Sequence, residues 1–386
     1  MGEWQKVKLG DVCEISSGKA SKYTKDQSGM FKVYGSNGVI GSYNEANFYR
    51  GYLVGRVGAV GSIQKITEPV WASDNTLTLV INEDLIDFDF MEHLLSTMTL
   101  ANYATKTAQP LLTQTTLKKI EVELPPLSEQ RKIAAILSSV DEAIEKTEAI
   151  IEQTEKVKKG LMQQLLTKGI GHTKFKKTEI GEIPEEWEVL EVADVAKTTS
   201  GGTPSRNNPE YFNGSIPWIK TGELKEKYIY DTEEKITEEA VKNSSAKLVP
   251  KNSVIVAMYG ATIGNVSINK IDATTNQACC VVIPQKERLN DEFLYYLLAF
   301  WKEKLIKLGA GGAQPNISQQ IIKNLLIPMP SLKEQMEIAN ILAILDKKIQ
   351  NEKKKFDSLS NLKKGLMQAL LTGKVRVKVD NEVMSQ

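Results

Sequence analysis

One helix ending occurs twice in this chain, and that repetition limits its possible folds more than any other feature. Residues 157–170 read "VKKGLMQQLLTKGI" and residues 362–375 read "LKKGLMQALLTGKV". Walking backwards in this register, Glu129 and Gln130 fall on Glu334 and Gln335, Ile133 on Ile338, Leu137 on Leu342, Asp141 on Asp346 and Gly160 on Gly365, every pair 205 apart. Further upstream "AQPLL" (108–112) meets "AQPNI" (313–317), and Lys118 meets Lys323. The starts also match: "EWQKVKLGDV" (3–12) and "EWEVLEVADV" (186–195) align Trp4 with Trp187 and Asp11 with Asp194, at an offset of 183. The second copy has therefore gained 22 residues, 205 minus 183, inside its globular part. At 386 residues the chain exceeds what one core usually covers. Two copies are too few for a solenoid, so the pattern is a tandem duplication that mimics a homodimer within one chain.

Each copy has two zones. The first, about 10–125 and 190–330, is rich in Gly, Asn, Ser and short β-branched runs such as "GYLVGRVGAVGSIQKI" and "NSVIVAMYGATIGNVSI", a pattern of strands joined by tight turns. Short helices are expected at "FDFMEHLLSTM" and "DEFLYYLLAFWKEKLIKL". Prolines close the zone in "ELPPLSEQ" and "IPMPSLKEQ", where Ser128 and Ser331 are placed to cap a following helix. In that helix Ile133, Leu137, Val140, Ile144, Thr147, Ile151, Thr154, Lys158, Leu161 and Leu165 step by alternating fours and threes. Ile338, Leu342, Leu345, Ile349, Glu352, Phe356, Leu359, Lys363, Leu366 and Leu370 repeat the steps, a heptad seam in each copy. Neither helix has a core of its own, so antiparallel burial of one stripe on the other is expected. Thirty-eight residues, Glu129 to Leu166, would make a spacer on the order of 57 Å. The competing possibility is a pair of ordinary core helices folded back on separate domains.

Side-chain chemistry points away from catalysis. His93 lies in an apolar helical pattern and His172 in the linker "TKGIGHTKFKK", so the two histidines form no metal pattern. Cys13, Cys279 and Cys280 suggest inert buried thiols rather than a framework of pairs. The glycines of "VGRVGAVG" and "GAGGAQP" lack the context of a dinucleotide fingerprint, and no Walker loop, Gly-x-Ser-x-Gly elbow or Asn-Pro-Pro-aromatic loop is found. No run of roughly 20 apolar residues marks a membrane helix, and the start lacks a signal-peptide core; a cytoplasmic location is expected. Net charge is only +1, and residues 1–123 hold 12 Lys and Arg against 14 Asp and Glu, so any positive face must be local.

The most informative loop is "TTSGGTPSRNNPEYFNGSIPWIKTGEL" (198–224). Thr203, Ser205, Arg206, Asn207 and Asn208 place short hydrogen-bonding side chains around one cation on a backbone kept irregular by Gly201, Gly202 and Pro204. Such a loop can reach phosphates and base edges, Arg suiting guanine and Asn adenine; the plain alternative is a solvated surface loop. Its counterpart "SSGKASKYTKDQSG" (16–29) sets Lys19, Lys22 and Lys25 around Tyr23.

The "SGGTPSRNNPEYFNGSIPWIKTGEL" segment, the doubled "EQ" helix entry and the doubled "KKGLMQ" ending together resemble the specificity subunit of type I restriction-modification systems, over essentially the whole chain. The resemblance implies an α+β fold of two target recognition domains with small twisted sheets, joined by two long antiparallel coiled-coil helices with pseudo-twofold symmetry. The expected divisions are recognition domains at 1–125 and 190–328, long helices at 126–170 and 329–375, a linker at 171–189 and a tail at 376–386. It implies a non-catalytic subunit whose domains each read half of a split double-stranded DNA target. Two methyltransferase subunits are the expected partners, joined by nuclease-translocase subunits in the full complex. No cofactor is expected in this chain, with S-adenosylmethionine, ATP and Mg on the partners. The first copy has "SSGKASK" where the second has "SGGTPSR", which leaves residue-by-residue transfer of contacts to the first domain open. Contact loops are expected at 19–37 and 203–221: Lys19, Lys22, Tyr23, Lys25, Lys32, Ser36 and Asn37 in the first, with Thr203, Ser205, Arg206, Asn207, Asn208, Lys220 and Thr221 in the second. Turns near Arg56, Asn75, Tyr259, Thr262, Asn276 and Gln314 assist them. A fused methyltransferase and a pure protein scaffold are the other two classes considered. S-adenosylmethionine binding by this chain alone would mark the former, and failure of the assembled complex to bind a split duplex the latter.

Overall fold

The computed structural model describes residues 3–20, 23, 28–310 and 316–378. The chain is α+β and divides into two compact units. Unit 1 comprises residues 1–149 together with 352–386, and unit 2 comprises residues 150–351.

In unit 1 a strand at Gln5–Lys8 pairs antiparallel with Glu121–Leu124, the strand that precedes the first long helix. The main sheet runs in the order Cys13–Ser17, Thr76–Ile81, Gly51–Gly55, Ile63–Ile66, antiparallel throughout. A smaller sheet sets Phe31–Gly35 between Gly38–Tyr43, antiparallel, and Trp71–Ala72, parallel. The "FDFMEHLLST" helix, Phe88–Thr97, starts where Asp87 accepts a hydrogen bond from the Phe90 amide at 2.9 Å, an N-cap that satisfies one orphan donor. Its apolar face and the main sheet bury Tyr52, Val54, Leu77, Leu79, Phe90, Met91 and Leu95.

Unit 2 repeats this plan with additions. Glu188–Glu191 pairs with Leu326–Met329. The main sheet runs Ala196–Ser200, Cys279–Pro284, Val254–Ala257, Val266–Asn269, and gains a parallel edge strand, Tyr228–Ile229. The smaller sheet sets Ile216–Ile219 between Lys235–Ile236 and Thr274–Thr275. The second expected helical stretch breaks at Trp301 into Asp291–Phe300 and Lys302–Leu308. A hairpin, Phe175–Thr178 with Gly181–Pro184, precedes the strand Glu188–Glu191. Ladder register locates most of the extra residues. The offset between equivalent positions is 185 at Val33 and Trp218, and 202 at Val54 and Val256, so 17 of the 22 lie between those strands.

The long helices run Leu127–Lys168 and Leu332–Leu370. Ser331 caps the second, accepting from the Glu334 amide at 3.3 Å; Ser128 does not cap the first, whose opening amides of Glu129 and Gln130 bond the Pro126 carbonyl instead. In unit 1 the start of the first helix packs beside the end of the second, with Ile133, Ala134 and Leu137 in one core with Leu370 and Leu371. Unit 2 mirrors this with Ile338, Ala339 and Leu342 beside Leu165 and Leu166. Within each unit the two segments are therefore antiparallel. Ion pairs join them: Lys363 to Asp141 at 2.5 Å in unit 1, and Lys158 to Asp346 at 2.5 Å in unit 2.

The repeated "EQ" now has a physical explanation. Gln130 accepts from the Asp87 amide and donates to the carbonyls of Leu85 and Pro125, tying the helix start to its own unit. Gln335 does the same with Asn290, Arg288 and Pro330. The preceding glutamate receives the chain that leaves the other helix. Glu129 takes Arg376 Nε at 2.8 Å and the Val377 amide at 3.2 Å. Glu334 takes the Ile170 amide at 3.0 Å, His172 Nε2 at 2.9 Å and Trp187 Nε1 at 3.0 Å. "KKGLMQ" likewise has an intra-unit role: its lysines make the ion pairs above and its Leu and Met pack on the unit core.

Candidate nucleic-acid interface

In unit 2 three strand ends meet at one edge of the sheets. Ser200 lies opposite Cys280, Ala257 opposite Cys279, and Ile219 beside Thr275. The loops leaving them are laced by hydrogen bonds: Gly202 N to Thr275 O at 2.9 Å, Asn276 N to Ile219 O at 2.9 Å, Met258 N to Ala278 O at 2.8 Å, and Ile317 N to Met258 O at 2.8 Å. Buried Trp218 donates its indole N–H to Gly202 O at 3.0 Å. Gly201 has to be glycine, since a Cβ there would lie 2.0 Å from Thr275 O. The edge thus gathers Thr203, Lys220, Thr221, Tyr259, Thr262 and Asn276, which the sequence scatters over 74 positions.

Arg206 is held by partners outside its own loop run. Its guanidinium lies 4.0 Å from the Phe212 ring centroid, and Nη1 is 2.7 Å from Glu234 Oε2. Glu234 also takes Lys220 Nζ at 2.8 Å. Arg206 foremost, then Lys220, holds the Glu234 carboxyl below the usual carboxylate range, and Glu234 holds Lys220 above the usual lysine value. Lys220 Nζ also lies 3.5 Å from Glu233 Oε2, and Glu223 accepts from the Lys220 amide, so the cations are set among carboxylates and the guanidinium is stacked and oriented. Thr203 hydroxyl bonds the Gln277 side chain, Ser205 Oγ accepts from the Asn207 amide at 3.4 Å, and Asn208 begins the turn Pro209–Phe212. Tyr259 packs partly against the core, and Thr262 O takes the Asn265 amide in the same turn.

Unit 1 builds the equivalent edge. Gly18 N bonds Thr76 O at 3.0 Å, Lys19 N bonds Ala72 O at 2.9 Å, Arg56 N bonds Asn75 O at 2.9 Å, and Leu112 N bonds Arg56 O at 3.0 Å. Lys19, Ser36, Asn37, Arg56 and Asn75 come together there, whereas Lys32, opposite Ser42, sits further back on its strand. Tyr23 is exposed; Lys22, Lys25 and Gln314 lie outside the described residues. Trp71 donates its indole N–H to Lys19 O at 2.8 Å. At the shared offset of 183, Lys19 is the counterpart of Gly202, so the two tryptophans satisfy equivalent carbonyls from different strands of the small sheet. Among the described residues, Arg56 Nε, Gln64 Oε1 and Ser73 Oγ in unit 1 and Thr275 Oγ1 in unit 2 are buried with no hydrogen-bond partner. Unmet polar atoms at a loop edge suit a ligand with polar edges of its own.

Gln64, Ser73, Trp71, Trp218 and Gly18 were not singled out from sequence, although "SSG" against "SGG" at the same strand end pairs Gly18 with Gly201, which was. Burial pushes the thiols of Cys13 and Cys280 up to about 12 and that of Cys279 higher, which keeps all three as unreactive apolar fillers. Among the described residues no group of three or more His, Cys, Asp or Glu could hold a metal ion, and no helix is long and apolar enough to cross a membrane.

Residues 1–156 and 184–361 match the family described as "Type I restriction modification DNA specificity domain". The chain is 33% identical over 312 residues to the putative type I restriction enzyme MjaX specificity subunit of Methanocaldococcus jannaschii, covering 79% of this chain and 72% of that one. It is 34% identical over 282 residues to the MjaVIII specificity subunit of the same organism, covering 70% and 66%. The fold is similar to the crystal structure of a type I restriction-modification S subunit from M. genitalium, with a TM-score of 0.65, 16% identity, and 98% and 97% of the two chains covered.

Proposed function

This chain belongs to the type I restriction-modification DNA specificity family, and from that premise we propose that its two loop edges each read one half of a split double-stranded DNA target. It is the non-catalytic specificity subunit of a restriction-modification complex. The observation that carries the reading is the recurrence of one edge in both units, built on the same ladder, glycine and indole bond but bearing different side chains. A shared frame with different polar groups is what two different half-sites require. In unit 2 the Arg206–Glu234–Lys220 cluster supplies the cations. In unit 1, Lys19 and Arg56 supply the cations and Ser73 an unmet hydroxyl, and Lys22 and Lys25 of unit 1 and Gln314 of unit 2 join the proposed contacts from sequence. Phosphate contacts fix position while the loops discriminate bases.

The duplicated surfaces favour two methyltransferase subunits as partners, with nuclease-translocase subunits in the full complex and a cytoplasmic location. S-adenosylmethionine, ATP and Mg belong to those partners, none to this chain. The antiparallel helix segments within each unit support their proposed role as the element that sets the gap between half-sites. The test is binding and methylation by the complex assembled with its methyltransferase partner, on duplexes with one half scrambled at a time. Loss of specific binding on scrambling either half is expected. Equal binding to all duplexes, or a single partner copy at saturation in native mass spectrometry, would overturn the assignment.

A further inference from the structure

The loop that leaves the middle strand of each small sheet, after Gly35 in unit 1 and after Ile219 in unit 2, is held from behind by side chains of the neighbouring main sheet. In unit 1 these come from Ser62 and from Gln64 on the strand Ile63–Ile66. Ser62 Oγ donates to Ser36 O, and Gln64 Nε2 donates to Gly35 O at 3.4 Å and Ser36 O at 3.3 Å. In unit 2 they come from Asn265 and from Ser267 on the strand Val266–Asn269. Asn265 Nδ2 donates to Leu224 O at 2.9 Å and Ser267 Oγ donates to Glu226 O at 2.6 Å.

The two sets occupy equivalent places. Ile63 lies opposite Val54 and Val266 opposite Val256, and Val54 and Val256 are themselves counterparts in their ladders. The preceding turns match as well, with Gly58 and Gly61 at φ 78° and 79°, and Gly260 and Gly264 at 87° and 77°. Residue types differ and the held loops differ in length and sequence, yet each unit directs two side-chain donors at carbonyls of the same loop. A loop carbonyl loses water when packed against a sheet, so a donor there fixes the loop's path. Lys302 Nζ bonds Asn265 Oδ1 at 2.8 Å, which orients the amide with its Nδ2 toward Leu224.

Resting on the DNA-reading assignment above, we propose that Ser62 and Gln64 in unit 1, and Asn265 and Ser267 in unit 2, are positioning residues that set base preference by shaping loops 35–38 and 220–226 from behind. They act through the loop that carries Ser36 and Asn37, or Lys220 and Thr221, and each pair governs its own half-site.

The experiment selects preferred sites for the complex of the full chain with its methyltransferase partner, comparing the parent with Ser62→Ala, Gln64→Leu and Ser267→Ala. Each of the first two should weaken base discrimination in one half by about 3- to 10-fold, the size of one hydrogen bond, and leave the other half unchanged. Ser267→Ala should do the converse, and Ser62→Thr, which keeps the hydroxyl, should restore the parent's preference. Ser267 is fully buried; should its alanine variant fail to assemble, Ser267→Thr and the two unit 1 variants still decide the question, with Ser267→Thr expected to match the parent. Preferences that stay the same in the unit 1 variants, or relax equally in both halves, overturn the brace while leaving the DNA-reading assignment standing. A parent complex with no split-site preference removes both.

Discussion

Replacing Trp218 by phenylalanine isolates one bond at the unit 2 loop edge. The ring is 2% exposed, sits 5.7 Å from the Phe212 ring in an edge-on arrangement, and gives its N–H to Gly202 O at 3.0 Å. Phenylalanine keeps most of the apolar contact and removes the donor. Gly202 O is then left without it, which costs about 1–3 kcal/mol for a buried polar group. The loop has little room to relax toward the sheet, because Thr275 O already fills the space beside Gly201. Unit 2 spans 202 residues, 150–351, and for that size each kcal/mol corresponds to about 2–4 °C in the melting midpoint. A fall of about 2–12 °C is expected, together with weaker discrimination in one half-site, up to roughly tenfold for every 1.4 kcal/mol felt by the bound loop. Trp71→Phe should act in the same way on the other half through Lys19 O. Differential scanning calorimetry and site selection with the assembled complex measure both effects. An unchanged midpoint with unchanged preference would refute the indole bond as the tie that holds the loop, and loss in both halves from either variant would refute independent reading.

Three further outcomes are expected. Arg206→Ala should weaken discrimination or affinity at the unit 2 half-site by about 1–3 kcal/mol in a binding assay of the complex, and Arg206→Lys, which cannot stack as a planar fork, should recover only part of it. Glu129, nearly buried and bonded first to Arg376 and then to the Val377 amide, is held below its ordinary pKa. Its contribution is therefore full above the unfolded carboxylate value near ~4.3 and lost as pH falls through the lower folded value; thermal melts from pH 6 to 3 should fall steeply in the parent and less in Arg376→Ala. Four residues inserted after Glu145 and after Gln350 lengthen each helix by about 6 Å and turn it by about 40°, so selected targets should show a gap one or two base pairs longer with both half-site sequences unchanged.

The periodic features were the legible ones. Heptad spacing marked both long helices, expected at 126–170 and 329–375 and found at Leu127–Lys168 and Leu332–Leu370, because a stripe of Ile and Leu at threes and fours has only one burial geometry. The 205-residue register exposed the duplication, whereas the equivalence of positions as dissimilar as Val33 and Trp218, 185 apart, shows only in the strand ladders. The loop edge was legible as composition but not as contact. Nothing local in "SRNN" says that Arg206 will lie against Phe212 and Glu234, since Glu234 comes from a later part of the chain that only the small sheet brings alongside. The cap at Ser128 failed because Pro126 supplies the accepting carbonyl one turn earlier. Trp71 and Trp218 escaped notice because they sit on non-equivalent strands, and only the shared carbonyl reveals their common task.

The partition of the chain into 150–351 and the two flanking stretches also bears on how the protein is made. Unit 2 is continuous, so everything its core needs has been synthesised once residue 351 has emerged from the ribosome. Unit 1 is split: Ile133, Ala134 and Leu137 wait for Leu366, Met367, Leu370 and Leu371, which are made only after residue 351. The amino-terminal sheet must therefore persist through most of translation with an apolar helix stripe uncovered, a state that invites association with other chains. The helix Leu332–Leu370 thus completes unit 2 with its first half and closes the core of unit 1 with its second.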